Sequence, residues 1–250
     1  AGAALAKADP ADHAALVKEI ESQKPLFDPV LSEAYNVEWT TQSNDSSQSM
    51  PVGGGDIGLN VWVEKNSLYF YISKSDALDE NNVFGKVGRV KIHLDPNPFA
   101  KGRSFSQKLI LKDGHCAIRA EGKDGNQVAI DVWVDVFKPV IHVDIRSGRA
   151  IGTRAEYHSW RFEDTKIPML GGFRESNDYG AYAQHPVFSQ PYTLHADKTV
   201  ARNDQIVFYH RNNNDDLTMN KAIDALKMRK TIDLETWHDP ATNFTFGGIT

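Results

Sequence analysis

The densest polar cluster in the sequence is the run Tyr209–Asn213 (YHRNN), which ends a predicted strand. It offers an aromatic ring, an imidazole, a guanidinium and two amides, and such groups can hold a polyhydroxylated ligand through planar hydrogen bonds. Trp160-Arg161 repeats the pairing of an aromatic ring with a guanidinium at the end of another predicted strand. Both clusters are candidate binding sites, and a surface patch or an interface to another domain is the alternative for each.

A second polar stretch runs from Ser73 to Asn82 and contains one lysine and three carboxylates: Lys74, Asp76, Asp79 and Glu80. Glycoside hydrolysis needs two carboxyl groups about 5–5.5 Å or about 6.5–9.5 Å apart, and sequence spacing does not identify such a pair. A calcium loop is not indicated, because the glycine and glutamate of the EF-hand pattern are missing. We therefore interpret the stretch as a charged connection.

The glycine-rich run Gly53–Gly58 (GGGDIG) invites comparison with a phosphate-binding loop. Such a loop requires a Lys-Ser/Thr pair and a helix whose N-terminus faces the phosphate. Here a predicted strand follows the glycines, and the Lys-Ser/Thr pair is missing. We predict a tight turn that enters a strand, in which glycine permits a positive φ or a close approach of the backbone to a neighbouring group.

Motifs of metalloenzymes and serine hydrolases are absent from the sequence. The nine histidines include no HExxH pattern, and the single cysteine excludes a cysteine-based zinc site. No GxSxG nucleophile elbow is present. We therefore expect neither a metal nor another cofactor, and we assign no catalytic residue.

The composition is that of an ordinary globular chain, with 40% hydrophobic and 24% charged residues. A net charge of −5 argues against a nucleic-acid partner, which requires a basic face. No apolar run approaches the ~18 residues that span a bilayer. Ala1–Ala8 lacks the features of an intact signal peptide, which leaves both cytoplasm and periplasm open. Cys116 is predicted to be a small buried hydrophobic side chain.

Alternating apolar and polar residues from Met50 to Ile145 predict a ladder of short antiparallel strands. The longest clean alternation is Val128–Val136. Asp113-Gly114 and Asp124-Gly125 are hairpin signals that separate neighbouring strands. Because no helical pattern interrupts these seven strands, we predict a mainly β protein with an antiparallel sandwich.

The flanking regions carry weaker patterns. Asp12 to Gln23 has the apolar spacing of a short amphipathic helix. Beyond Gly148 we predict a loop-rich part that contains these elements: a strand over Thr153–Phe162, loops over 163–204, a strand over Gln205–Tyr209, a helix over Thr218–Lys230 with Thr218 as N-cap, and a strand over Asn243–Ile249. We divide the chain into an N-terminal helical extension (1–34) and a sandwich domain (35–250). The strand at its end suggests that a further domain follows.

Five blocks resemble, in order, a bacterial family catalogued as a domain of unknown function that is found at the front of large glycoside hydrolases. The blocks are SQSMPVGGGDIGLNVWVE, LYFYISKSDALDE, KVGRVKIHLDPNPF, VWVDVFKPVIHV and FYHRNNND, and the resemblance spans Tyr35 to the end of the chain. More distantly, MPVGGGDIGLNVWVE and ISKSDALDE resemble the opening of family-95 glycoside hydrolases (α-L-fucosidase and α-galactosidase types). There a proline-isoleucine-glycine-asparagine-glycine run takes the place of Pro51–Gly55, so Gly54 stands where these relatives carry asparagine.

This resemblance implies a β-supersandwich at the front of a glycoside hydrolase, followed by a helical (α/α)6 barrel. In the family-95 and family-65 relatives the catalytic carboxylates lie in the barrel, so none is carried over to this chain. The implied partners are carbohydrate and the barrel, and the implied location is periplasmic or secreted. The candidates for a substrate-site rim or a domain interface are Asp56, Lys74, Asp76, Trp160, Arg161, His210, Arg211 and Asn212.

Two alternative functions stay open. A stand-alone carbohydrate-binding module would present coplanar rings, for which Trp62, Tyr69 and Tyr71 are the candidates, although we expect these rings to pack against a second sheet. A mutarotase-like sugar epimerase would need a histidine acid and a carboxylate base on the concave face of the sandwich, and His142 with Glu156 is the candidate pair.

Overall fold

The alternating stretches form two antiparallel sheets of five strands each. They belong to a computed structural model that describes Ala15, Lys18 and residues 33–100, 103–122, 125–167, 191–232 and 237–250. Sheet A has the order β1 (Val37–Trp39), β6 (Phe105–Ile110), β7 (His115–Glu121), β8 (Gln127–Val134), β9 (Ile141–Ser147). Sheet B has the order β10 (Gly152–His158), β5 (Phe84–Asp95), β4 (Ser67–Leu78), β3 (Ile57–Glu64), β2 (Met50–Gly54). The predicted mainly β, antiparallel sandwich is confirmed.

Short turns with positive φ angles connect neighbouring strands. Lys65 and Asn66 have φ values of 47° and 63° and form the two-residue turn between β3 and β4, as in a type I′ hairpin. Gly114 and Gly125 have φ values of 64° and 77° and lie in the two connections where hairpins were predicted. Asp124, the other half of the second signal, lies outside the described residues.

The core lies between the inward faces of the two sheets, because every second residue of a strand points to the same face. Its buried members include Val61 and Leu68 from sheet B and Ile118 from sheet A. Cys116 is fully buried in this core, as predicted, and its Sγ lies 4.0 Å from Sδ of Met50 in the opposite sheet. One polar link also crosses the core.

That link is made by Gln107, which is 1% exposed on β6. Its Nε2 donates a hydrogen bond of 3.1 Å to the backbone carbonyl oxygen of Val61 on β3. A buried amide needs such a partner, since an unsatisfied polar group costs about 1–3 kcal/mol. The bond therefore couples the two sheets at one defined position.

The glycine-rich run is the β2–β3 hairpin. Gly55 has a φ of 56°, so this turn needs the conformational freedom of glycine. A Cβ atom on Gly54 would lie 2.7 Å from the carbonyl oxygen of Val134, at the end of β8 in the opposite sheet. Both predicted roles of the glycines, a positive φ and a close backbone approach, are therefore confirmed.

Two smaller sheets occupy the region beyond β10. One pairs β11 (Thr165–Ile167) with β12 (Tyr192–Leu194), and the other has the order β13 (Lys198–Arg202), β14 (Gln205–Arg211), β15 (Thr245–Ile249). The stretch 163–204, predicted to be loop-rich, thus also contains three short strands that were not predicted, β11, β12 and β13. All five residues of β13 are exposed, so this strand has no apolar alternation that the sequence could reveal.

Two predicted elements end earlier than expected. The strand predicted over Thr153–Phe162 ends at His158. The helix predicted over Thr218–Lys230 is Thr218–Ala225, and Leu217 instead of Thr218 takes the N-cap position. It stops early because Lys227 has a φ of 57°, which a helix does not accommodate.

The N-terminal part is described only at two positions before residue 33. Ala15 and Lys18, both within the helix predicted over Asp12–Gln23, are helical and exposed, and the rest of that prediction lies outside the described residues. Across the described ranges, no helix combines the length and apolar character needed to cross a membrane.

Candidate functional site

A buried cluster of charged side chains joins sheet B to the three-stranded sheet. Its centre is His210 on β14, whose Nε2 lies 2.9 Å from Oε2 of Glu80 and whose Nδ1 lies 3.1 Å from Oδ1 of Asp197. Glu80 follows the end of β4, and Asp197 directly precedes β13. The three side chains are 0–4% exposed. A single imidazole therefore bridges two carboxylates that are distant in sequence.

The protonation of this cluster follows from its geometry. Burial alone lowers the pKa of His210, but its hydrogen bonds to Asp197 and Glu80 outweigh that effect and raise the pKa to about 9. Burial raises the pKa of both carboxyl groups, and their contacts with His210 reverse the effect, so the pKa of Glu80 and that of Asp197 are both lowered. At neutral pH the cluster therefore contains an imidazolium between two carboxylates, with both ring N–H groups donating.

Asp197 also fixes the chain segment that follows β10. Its Oδ1 accepts a hydrogen bond of 2.8 Å from Nε of Arg161, and its Oδ2 accepts one from the hydroxyl of Ser159. Its backbone N–H donates to the carbonyl oxygen of Arg161 at 2.7 Å. The Arg161 guanidinium lies against Gly85, where a Cβ atom would be 2.7 Å from Nη1. The segment 159–161 is therefore held by side-chain and backbone contacts together.

The same segment exposes two aromatic rings. Trp160 is 49% exposed and Phe162 is 76% exposed. Leu78 and Phe84, which pair across the β4–β5 ladder, are also exposed, and Gly85 brings this pair next to Arg161. We call Leu78, Phe84, Trp160 and Phe162 the apolar corner. The buried cluster behind it anchors Ser159 and Arg161, the two neighbours of Trp160 in the chain.

A row of aromatic rings leads from the apolar corner across the outward face of sheet B. Successive ring centroids along Tyr69, Trp62, Tyr71 and Trp160 are 5.2, 4.7 and 5.1 Å apart. Nζ of Lys86 lies 3.9 Å from the centroid of the Tyr71 ring, within the range of a cation–π contact. Trp62, Tyr69 and Tyr71 face away from the core, so the prediction that they pack against a second sheet is wrong.

The row is not a flat platform either. Trp62 and Tyr69 are stacked with an interplanar angle of 13°, but the Tyr71 ring is tilted by 60° against Trp62. Trp62 is 1% exposed, and its Nε1 donates to Oε2 of Glu64 at 3.0 Å. Trp160 is thus the ring of this row that is most accessible to a partner.

Two groups of candidate residues lie outside the buried cluster. Lys74 contacts Oδ2 of Asp56 at 2.8 Å and also pairs with Asp76, in an exposed ion pair network beside the β2–β3 hairpin. Arg211 is exposed and donates from Nη2 to Oδ1 of Asn243 at 2.7 Å. Asn212 is buried, and its Nδ2 donates to the carbonyl oxygen of Ala241 at 3.2 Å. Two separate sets of candidates thus come together: Asp56, Lys74 and Asp76 meet in the exposed network, and Arg161 and His210 meet at Asp197 in the buried cluster.

Glu80 and Asp197 are the members of the buried cluster that were not among the predicted site residues. The stretch Ser73–Asn82 was interpreted as a charged connection, which is wrong at Asp79 and Glu80. Both are buried: Asp79 accepts hydrogen bonds from the backbone N–H groups of Asn81 and Val83, each at 2.9 Å. Adjacent carboxylates in a polar stretch normally face solvent, so the sequence contained no signal for their burial.

A second imidazole lies between carboxylates nearer the surface. His195 has Nδ1 3.1 Å from Oδ2 of Asp164 and Nε2 2.6 Å from Oδ2 of Asp216. Burial lowers the pKa of His195, and the hydrogen bonds to Asp216 and Asp164 raise it more, with a net increase. Nδ2 of Asn213 lies 3.2 Å from Nε2 of His195, and the Asn213 backbone N–H donates to Glu80, so the two imidazole sites are neighbours.

The proposed mutarotase pair does not form. His142 lies on the outward face of sheet A, stacked on Trp133 with ring centroids 3.8 Å apart. Glu156 lies on the outward face of sheet B, where its carboxylate contacts His93 and His158 at 3.2 and 3.7 Å. The core separates the two faces, so His142 and Glu156 cannot act on one substrate and this assignment is wrong.

The buried cluster holds structure instead of contacting a ligand, because side chains that are 0–4% exposed cannot reach a saccharide. Within the described ranges, no three His, Cys, Asp or Glu side chains converge as metal ligands would. What this region presents to a partner is the apolar corner, together with the partly exposed rings of Tyr69 and Tyr71 in the aromatic row. Its chemistry is therefore that of apolar contact, ring stacking and cation–π interaction.

The sequence matches a protein family described as a domain of unknown function (DUF5703) over residues 38–250. A search of curated proteins finds no match. The matched region includes both sheets, the buried cluster and the apolar corner.

Proposed function

Because the chain belongs to the DUF5703 family, whose description assigns no activity, we propose its function from the geometry and the resemblance together. We propose that it is the non-catalytic β-sandwich domain of a glycoside hydrolase in the periplasm or outside the cell. In this proposal the apolar corner packs against a helical barrel, and the adjoining aromatic row forms part of the wall of the substrate site.

The observation that carries this proposal is that the apolar corner is exposed beside an anchored segment of the chain. Phe162 is 76% exposed and Trp160 49%, yet the segment that holds them is anchored by Asp197 through Arg161 and Ser159. Exposed clusters of large apolar side chains mark interaction surfaces. An anchored cluster binds a partner with a smaller loss of conformational entropy than a mobile one, so the corner suits a permanent domain contact.

A non-catalytic role for the sandwich, with catalysis in the barrel, also fits the chemistry of the buried cluster. A glycosidase needs two accessible carboxyl groups across the scissile bond, whereas the carboxylates of the buried cluster are committed to His210 and Arg161. In this proposal the catalytic carboxylates lie in the barrel, as the resemblance to family-95 glycoside hydrolases implies. The sandwich then contributes shape and contacts, and the barrel contributes the reaction.

The test compares the full-length gene product with the 250-residue chain alone on a panel of aryl glycosides and plant and bacterial polysaccharides. We expect hydrolysis by the full-length protein and none by the chain alone. Replacing Trp160 and Phe162 by alanine in the full-length protein is expected to separate the melting transitions of the two domains and to reduce activity at least tenfold. Val200→Ala is the matched control, since Val200 is an exposed apolar residue on β13. Hydrolysis by the 250-residue chain at the rate of the full-length protein would overturn the proposal.

The aromatic row favours a second candidate function, a stand-alone carbohydrate-binding module. Sugar rings stack on exposed aromatic side chains, and Trp160 with its neighbour Tyr71 could supply such a contact. A glycan array with the 250-residue chain tests this idea: binding that is lost in Trp160→Ala supports a module, and the absence of binding to every glycan rejects it. Binding without hydrolysis by the full-length protein would favour the module over the glycosidase domain.

A further inference from the structure

The outward face of sheet A contains an open cavity of ≈ 710 Å³ that neither the buried cluster nor the apolar corner uses. We propose that this cavity binds an acidic saccharide, with the carboxylate or sulfate group of one sugar residue held between Arg119 and Arg146. The saccharide part of this inference rests on the proposed function. The anion part rests on the geometry of the two arginines.

The two guanidinium groups flank a small residue. Arg119 on β7 pairs with Ala129 on β8, and Ala129 pairs with Arg146 on β9. The three side chains therefore stand in one row across the sheet, with the outer backbones about 10 Å apart. The methyl group of Ala129 leaves the space between the arginines open, and this space is the floor of the cavity.

One carboxylate fixes both arginines. Nη1 of Arg119 donates to Oδ1 of Asp131 at 2.8 Å and also to the carbonyl oxygens of Ile118 and Ile130. Nη2 of Arg146 pairs with Oδ2 of the same carboxylate. In the described part of the chain, neither guanidinium makes another hydrogen bond or ion pair. Each keeps further N–H donors for a ligand, and their orientation is set before the ligand arrives.

The charge balance favours an anion. Arg119 and Arg146 share the single carboxylate of Asp131, while the neighbouring Glu121 carboxylate contacts Arg103 and Ser104 instead. The Asp131 carboxyl is raised in pKa by burial but lowered more by its bonds to Arg119 and Arg146, so it is ionised at neutral pH and does not compete as a proton donor. A planar guanidinium binds carboxylate and sulfate oxygens in a bidentate manner, and the two groups face one space.

The rest of the lining suits a sugar more than a bare ion. Around the arginines it combines hydroxyl and amide groups (Ser104, Ser106, Gln127 and Ser147) with the apolar side chains of Phe105, Ala120 and Val128, and a sugar ring has both polar and apolar faces. Nδ2 of Asn126 donates to the Ser147 hydroxyl at 2.6 Å, which positions that hydroxyl at the rim. A space of this volume exceeds what one inorganic anion fills and is in the range of small-molecule sites. A sugar residue with one acidic group matches both parts of the lining.

The experiment measures binding of the full chain to polygalacturonate, to dextran as a neutral polymer, and to sodium sulfate, by affinity electrophoresis and calorimetry. We expect binding to polygalacturonate that weakens with added salt, with no binding to dextran. The double variant R119Q/R146Q and the variant A129L, which fills the floor while keeping both charges, should each weaken binding at least tenfold. R154Q is the matched control, because Arg154 is an exposed arginine paired with Glu156 on the outward face of sheet B.

Each outcome decides the inference. A loss in R154Q as large as in R119Q/R146Q would show non-specific attraction and overturn it, as would equal binding of dextran and polygalacturonate. Sulfate that binds as tightly as the polymer would overturn the saccharide part. Melting temperatures of the variants check that each is folded, and R119K/R146K, which keeps the charge without the planar fork, replaces any variant that is not. Unchanged hydrolysis of aryl glycosides by the full-length R119Q/R146Q protein would separate this site from the proposed catalytic function.

Discussion

The Nε2 atom of His210 lies 2.9 Å from Oε2 of Glu80, although 130 residues separate the two in the chain. This contact ties β14 to the end of β4 and closes a buried cluster that Asp197 completes on the other side of the ring. An ion cluster of this kind needs every member, because removing one partner leaves an uncompensated buried charge. The consequences can be measured.

Replacing His210 by glutamine is expected to lower the free energy of unfolding by about 3–5 kcal/mol, since Glu80 and Asp197 would remain buried without the imidazolium. Urea unfolding of the full chain measures this change. Arg211→Gln is the control. Arg211 directly follows His210, but its side chain is exposed and contacts Asn243 at the surface, so the free energy of unfolding should change by no more than about 0.5 kcal/mol. Equal effects of the two substitutions would contradict a special role for the cluster.

The stability of the protein is expected to depend on pH through the same histidine. The pKa of His210 is raised from 6.5 to about 9 in the folded protein, so its stabilisation is complete below pH 6.5 and is lost as the pH rises through about 9. The increase in the pKa of His210 corresponds to ~3 kcal/mol in the free energy of unfolding. The pKa values of Glu80 and Asp197 are lowered, so their contribution is present above their ordinary values and is lost on acidification.

Urea midpoints at about pH 6, 7.5 and 9 test this dependence. The wild-type midpoint should fall between pH 6 and 9, and His210→Gln should flatten that decrease. If the wild-type protein and His210→Gln lost stability in parallel over this range, another group would be responsible. The loss of stability on acidification should persist in part in His210→Gln, because Arg161 still contacts Asp197.

Alanine at position 54 is expected to destabilise the sandwich by about 1–3 kcal/mol, because overpacking forces backbone shifts. The added methyl group would meet the Val134 carbonyl oxygen at 2.7 Å, and that oxygen belongs to backbone that cannot rotate away. Gly152→Ala is the comparison, since its Cβ would lie 3.5 Å from the nearest atom, the Asp95 carbonyl oxygen. Thermal unfolding should separate the two variants clearly, and a neutral Gly54→Ala would show that the hairpin can move away from sheet A.

The thiol of Cys116 is expected to be inert in the folded protein. Burial raises its pKa to about 12, so the reactive thiolate is scarce, and the side chain is fully buried. Ellman's reagent should react slowly without denaturant and with one equivalent of thiol in urea. Complete reaction within the mixing time under native conditions would show that the core opens easily at β7.

The two main sheets could be predicted because their strands alternate between a buried and a solvated face. Ile57–Glu64 and Gln127–Val134 have this pattern, and the second strand has bounds close to the alternation predicted over Val128–Val136. The strand Lys198–Arg202 could not be found in this way, because all its residues are exposed and its position is set by pairing with Gln205–Arg211. Local pattern identifies a strand when the strand itself contributes to the core.

The candidate site was predictable only in part, for a related reason. His210 and Arg161 stood out because they follow aromatic residues at strand ends, and the structure joins them through one carboxylate. Glu80 and Asp197 have no such local signal. Their burial depends on β14 and on the segment after β10 returning to the end of β4, and such long-range placement is not encoded in spacing along the chain.

The hydrogen bond from Gln107 to the Val61 carbonyl also limits how the two sheets can be aligned. Apolar contact is non-directional, so a lateral slip can leave apolar side chains buried against other apolar side chains. The amide of Gln107 does not, since a slip of one strand position would leave a buried donor and a buried acceptor without partners at about 1–3 kcal/mol each. The main effect of Gln107 is therefore to destabilise arrangements in which the two sheets are misaligned, more than to stabilise the native one.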